Sequence, residues 1–205
     1  MRFIDELIAR GGPESHEYAA FTAFVDAMAA DIASGAMAAA EAEVFWRELT
    51  EQNFRGTAQA HALLAPHGYH GDYEIIDIIY RQRVAPEPYL ERWDHYFHAQ
   101  SAPKAVRNRK GFFHALLDDV VGRHPGEIVQ VLNVASGPGR DMQEWLDTHP
   151  HAPVLFDCVE LDPNAIEICA EPLRPLLGEN PISSGKCAPL SHSKAVSPRL
   201  VSRAF

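Results

Sequence analysis

Val131-Leu132-Asn133-Val134-Ala135-Ser136-Gly137-Pro138-Gly139-Arg140-Asp141 is followed, about twenty residues on, by Cys158-Val159-Glu160-Leu161-Asp162-Pro163. An apolar, β-branched run enters a Gly-rich turn, and the polar-apolar mixture from Arg140 to Thr148 reads as a helix. A second apolar run, Val154 to Leu161, places a carboxylate at its end. This order predicts two parallel strands joined by a helix, with a ligand site at their C-terminal ends. Gly137 and Gly139 lack a Cβ, so the turn can be tight and a ligand can approach the backbone. Glu160 stands where an acid can accept hydrogen bonds from ribose hydroxyls. Asp162 is read either as the cap of a following helix, with Pro163 at its first position, where a missing N–H costs nothing, or as a contact to the base end of a nucleoside ligand.

The glycine spacing narrows the cofactor. A dinucleotide fingerprint, Gly-x-Gly-x-x-Gly, fails in both registers: counting from Gly137 the third glycine falls on Met142, and counting from Ala135 it falls on Arg140. Val131 to Gly139 instead resembles the motif of class I S-adenosylmethionine-dependent methyltransferases, with Asn133 in place of the usual strand acid and Ala135 in place of the first glycine. Gly71 to Tyr80, Ala105 to Arg109 and Val131 to Asp141 together resemble the methyltransferase family of 3-hydroxypalmitic acid methyl ester biosynthesis. The resemblance covers roughly residues 65 to 170. It implies S-adenosylmethionine as cofactor, held by Asn133, Ala135, Ser136, Gly137, Gly139, Glu160 and Leu161, with Leu161 packing on adenine. It further implies Tyr73 as a lid over the cofactor, and Arg107 and Arg109 as binders of a carboxylate, either the substrate's or that of the cofactor's methionine portion, with Arg107 counted among the cofactor-binding residues. The implied acceptor is a small molecule, a 3-hydroxy fatty acid, methylated on its carboxylate. No catalytic residue is assigned. The alternative is a non-catalytic helical interaction module, or an inactive fragment of a methyltransferase that keeps the motif without the sheet.

Outward from the motif, the preceding chain reads as helical. Phe21, Phe24, Val25, Met28 and Ile32 recur at helical spacing, Ser34-Gly35 interrupts, and a second helix runs through Val44, Phe45 and Leu49 within a helical stretch of residues 14 to 64. Residues 66 to 71 read as a loop. Asp72 is a plausible N-cap for a helix whose apolar face holds Ile75, Ile76 and Ile79. Pro86 and Pro88 break the chain, and helices are expected over Tyr89 to Gln100 and Pro103 to Arg123. The predicted organisation is α/β: a helical N-terminal region (1–125), the start of a Rossmann-like S-adenosylmethionine-binding domain with an incomplete sheet (126–171), and an irregular tail (172–205). From Glu171 on, five basic side chains (Arg174, Lys186, Lys194, Arg199, Arg203) stand against two acids (Glu171, Glu179), between repeated prolines and serines. That break is read as a chain truncated after the second strand, with a tail from a shifted reading frame.

Composition bounds the partners. The formal net charge is −10, so a general basic surface for nucleic acid is not expected. No apolar stretch is long enough for an integral membrane segment, and the acidic N-terminus lacks a signal-peptide core. Cys158, Cys169 and Cys187 show no paired spacing, which points to a reducing, cytoplasmic location. His67/His70 and His95/His98 are each three apart, yet a metal site needs a suitably placed third ligand, no Cys joins either pair and the first lies beside glycine and proline, so no metal site is expected. The oligomeric state is left open.

Overall fold

The computed structural model describes residues 2–173, 188–189 and 199–201. Among these residues the chain forms nine α-helices and four strands, an α/β mixture dominated by helix. Its contacts divide it into two compact units, Met1–Ala105 and Val106–Phe205.

The first unit is helical. It contains α1 (Arg2–Ala9), α2 (Tyr18–Ser34), α3 (Ala39–Asn53), α4 (Ala58–Leu64), α5 (Tyr73–Arg81) and α6 (Pro88–Ala99), and α7 (Ser101–Arg123) begins in it. Helix α1 has no counterpart in the sequence reading; Ile4 and Leu7, one turn apart, anchor it in the core. Gly35 ends α2 in the left-handed conformation that lacks a Cβ penalty, its N–H donating to Ile32 O. The stretch expected to be helical through residue 64 breaks once more. Thr57 Oγ1 accepts the Ala60 N–H and starts α4 as a separate helix. Asp72 caps α5 as expected, Oδ1 accepting the Ile75 N–H at 2.9 Å. The buried face of α5 uses Ile75, Ile78 and Ile79, so Ile78 takes the place expected of Ile76, which is only half-buried.

Phe21, Phe54, Trp93 and Tyr96 form the aromatic centre of this unit, with Phe54 and Trp93 ring centroids 4.4 Å apart and Phe21 and Tyr96 4.7 Å apart. Edge-to-face and tilted rings at such distances add to the area they bury. A buried carboxylate crosses this core. Asp94, on α6, accepts the Ala58 N–H through Oδ1 and the Ala85 N–H through Oδ2, each at 2.7 Å. One side chain thereby fixes the start of α4 and the segment before α6 to α6 itself.

The second unit carries the sheet. Strand β1 (Val129–Val134) pairs in parallel with β2 (Val154–Glu160), from Val129 opposite Val154 to Val134 opposite Val159. Helix α8 (Arg140–Thr148) connects them, and α9 (Pro163–Leu173) follows β2. Both strands and both helices lie where the sequence patterns put them. Leu117, Met142, Trp145, Val154, Phe156, Cys158 and Cys169 form a core on one face of the pair. Trp145 Nε1 donates to Asp118 Oδ1 at 2.7 Å and Lys110 Nζ to Glu144 Oε2 at 2.6 Å, tying α7 to α8. The other face of β1 is open, with Leu132 and Val134 more than 60% exposed.

The sheet does not stop at two strands. The short β3 (Ala188–Pro189) pairs in parallel with Val159 and Glu160, and β4 (Arg199–Val201) pairs antiparallel with Leu155 to Asp157. Two- and three-residue strands are too short to show alternation, which is why the tail reads as irregular. The rest of that reading, like the reading-frame expectation, lies outside the described residues. No helix among the described residues is long and apolar enough to cross a membrane.

Candidate cofactor site

Asn133, Ala135, Ser136, Gly137, Gly139, Glu160 and Leu161 come together at the C-terminal edge of β1 and β2. The chain leaves β1 by pairing once more with its neighbour: Ala135 N and Ser136 N both donate to Val159 O, at 2.8 and 3.3 Å. It then turns through three left-handed residues, Ala135 (φ +55°), Gly137 (φ +54°) and Gly139 (φ +61°). The sequence position where a glycine was expected therefore has the backbone conformation that favours one, occupied by alanine. Gly139 is needed for a second reason. A Cβ there would lie 2.4 Å from Cys169 Sγ and 2.9 Å from Met142 Cε. At Gly137 the same construction meets no described residue within 4 Å.

Glu160 closes the arrangement. Its Oε2 accepts the Gly137 N–H at 2.7 Å, and its Oε1 accepts the N–H groups of Leu161 at 2.7 Å and Asp162 at 3.1 Å. The carboxylate thus links the end of β2 to the turn after β1. Three of its roughly four acceptor positions are engaged by backbone. Asp162 Oδ1 accepts the Asn164 N–H at 2.9 Å, the capping role expected of it. Leu161 is exposed beside this carboxylate.

Asn133 points into the covered face, where its Nδ2 donates to Met142 Sδ at 3.3 Å. A neutral amide can lie against the Met142 thioether where a carboxylate would meet a desolvation cost.

Two contributions to this turn have no motif in the sequence. The buried Gln143 donates through Nε2 to Pro138 O at 3.1 Å and to Cys169 O at 3.3 Å, bracing the turn and α9 from α8. Asp141, in the first turn of α8, accepts its neighbour's N–H from Met142, and its carbonyl meets His114 Nε2 at 2.8 Å. Burial pushes the Asp141 carboxyl above the usual aspartate range, opposed by the Met142 N–H and by the positive charge of Arg109. Only their positions four and two residues after Gly139, in the first turn of α8, could have marked Gln143 and Asp141.

The remaining sequence candidates are placed as follows. Arg107 is half-buried on α7. Tyr73 is buried on α5 in the first unit, its ring 4.7 Å from that of His67. The histidine pairs serve separate ends: His70 Nδ1 meets Ala62 O, His95 Nε2 meets Glu91 Oε1, and His98 Nε2 meets Arg83 O.

Comparison of the chain with protein-family models, with curated proteins and with solved structures found no match.

Proposed function

We propose that residues 129 to 173 form an S-adenosylmethionine site of the class I methyltransferase type, within a Rossmann-like half-sheet. The observation that carries this reading is the Glu160 carboxylate at the end of β2, 2.7 Å from the Gly137 N–H in the turn that leaves the adjacent parallel strand. An acid and a Gly-rich turn side by side at the carboxyl edge of parallel strands suit a nucleoside cofactor. The fit is supported at Gly137, where a Cβ would meet no described residue within 4 Å and a bound group can approach the backbone. Glu160 is the residue for the ribose hydroxyls, exposed Leu161 for the adenine face, and the turn from Ala135 to Gly139 for the amino-acid portion.

The cofactor supplies a methyl group already activated by its sulfonium charge. With a carboxylate acceptor, ionised at neutral pH, the protein needs no strong base; its residues orient the acceptor and exclude water. The sequence resemblance extends the proposal to a 3-hydroxy fatty acid as acceptor and to Arg107 as partner of a carboxylate, the acceptor's or that of the cofactor's methionine portion.

A second reading is favoured by the three backbone N–H groups already held by Glu160: the acid is a structural clasp, and the chain is a non-catalytic interaction module with a retained turn. Titration calorimetry with S-adenosylmethionine separates the two. The cofactor reading expects saturable binding that Glu160→Gln weakens roughly ten- to a hundredfold, the worth of a charge-assisted hydrogen bond. A wild-type chain that releases no binding heat supports the clasp. Transfer of a labelled methyl group to a 3-hydroxy fatty acid then tests the acceptor.

A further inference from the structure

Away from the glycine turn, the first unit brings together two imidazoles and a carboxylate from three consecutive segments. His61 lies on α4, His67 in the loop that follows, and Glu74 in the first turn of α5. One donor atom from each falls within 4.8 Å of the other two. His67 Nε2 is 3.1 Å from Glu74 Oε2, and His61 Nδ1 is 4.0 Å from the same oxygen. Ligands at about 2.0–2.1 Å around a tetrahedral ion are separated by about 3.3 Å, so these donors need only small side-chain adjustments to surround one.

The neighbours of the cluster hold it in the orientation that metal ligation requires. His61 Nε2 sits 2.9 Å from both carboxylate oxygens of the buried Asp72. Donating its proton there leaves Nδ1, the nitrogen facing Glu74, with a free lone pair. A histidine whose second nitrogen is held by a carboxylate is the usual arrangement behind a metal-bound imidazole. The other oxygen of Glu74, Oε1, is 3.3 Å from Arg83 Nη2, which leaves Oε2 directed to the two histidines. His61 and Glu74 also line a cavity of about 400 Å³, together with Arg55, Thr57 and Arg83.

We propose that His61, His67 and Glu74 bind a divalent transition-metal ion of the zinc class, with an open coordination position toward this cavity. Two nitrogens and one carboxylate oxygen make up a donor set suited to such ions rather than to calcium or magnesium, which favour all-oxygen shells. Three protein ligands leave the fourth tetrahedral position to water or to an anion from the cavity, where Arg55 and Arg83 supply positive charge. Metal entry displaces the proton shared between His67 Nε2 and Glu74.

The test uses the full chain, freed of metal by a chelator, titrated with Zn²⁺ and separately with Co²⁺. One tight equivalent of Zn²⁺ and an intense tetrahedral Co²⁺ absorption band are expected. His67→Gln alters a loop residue and should keep the wild-type melting temperature while losing the band and at least a hundredfold in affinity. Asp72→Asn retains a good N-cap for α5 and, as a positioning change, should weaken Zn²⁺ about tenfold. His95→Ala, outside the cluster, should bind as wild type does. The proposal is overturned if the wild-type chain shows no stoichiometric site, or if His67→Gln binds Zn²⁺ as tightly as wild type. It is also overturned if the metal proves to be an ordinary surface-bound ion equally sensitive to His95→Ala.

Discussion

Ala135 carries a cost that its neighbours avoid. A Cβ in the left-handed region crowds the following carbonyl, at roughly 1–2 kcal/mol, and Ala135 holds φ +55° directly after β1 and before Ser136. Ala135→Gly should stabilise the second unit by about 0.5–1 kcal/mol, after the extra chain entropy of glycine is subtracted; urea unfolding followed by Trp145 fluorescence measures it. The reverse change at Gly139 should be severe. Gly139→Ala drives a methyl into Cys169 and Met142 as well as straining the backbone, and a loss of about 2 kcal/mol or more is expected in the same assay. If Gly139→Ala melts with the wild-type chain, the Cys169 and Met142 side chains make room for the methyl without cost. Asp94 shows a different dependence, on solvent rather than sterics. Its two 2.7 Å bonds to backbone N–H groups are the counterpart of its burial, and Asp94→Ala, which orphans both donors, should cost about 2–4 kcal/mol.

At the scale of elements, β1 is the exposed part of the second unit. Parallel strands are ordinarily covered on both faces, yet Leu132 and Val134 face solvent beside each other on alternate positions of β1. Leu132→Thr with Val134→Thr should leave the unfolding midpoint within about 0.5 kcal/mol of wild type. Much of this element structure is legible in the sequence, because long segments advertise their period. The β1–α8–β2–α9 succession, the Asp72 and Asp162 caps and the Gly35 stop all follow from residue type and spacing. Three features do not. Helix α1 is short and its burial depends on partners far along the chain. The break before α4 turns on a single threonine hydroxyl. The pairings at Ala188–Pro189 and Arg199–Val201 are set by the edge of β2 rather than by any pattern of their own. The site divides in the same way. The Gly turn and Glu160 are local and visible, whereas Gln143's brace and the His61, His67, Glu74 grouping arise from chain reversal, across which no helical or strand period runs.

For the molecule as a whole, acid and base act on stability through its buried carboxyls. Burial raises the Asp94 carboxyl above the ordinary aspartate range in spite of its two N–H donors, and it raises Asp141 likewise. A group that binds its proton more tightly folded than unfolded leaves the folded state richer in protons between the two values. Its contribution is therefore complete below the unfolded value and is lost as pH rises through the folded one. Asp94→Asn does not titrate. The stability of wild type relative to Asp94→Asn should fall as pH rises from about 4 toward 7, read as the difference in urea midpoints at each pH. A difference that stays constant over that range removes Asp94 from the pH dependence.

The same aspartate sets a clock on two particular amides. Ala58 N–H opens a helix and Ala85 N–H lies in a connecting segment, places where hydrogens ordinarily trade with solvent within local fraying. Because both are held by one buried side chain, neither can be released by the unwinding of a single turn. Their exchange with deuterium should follow the opening of the whole helical unit, at rates matching those of the innermost amides of α6, and should accelerate together when Asp94 is replaced.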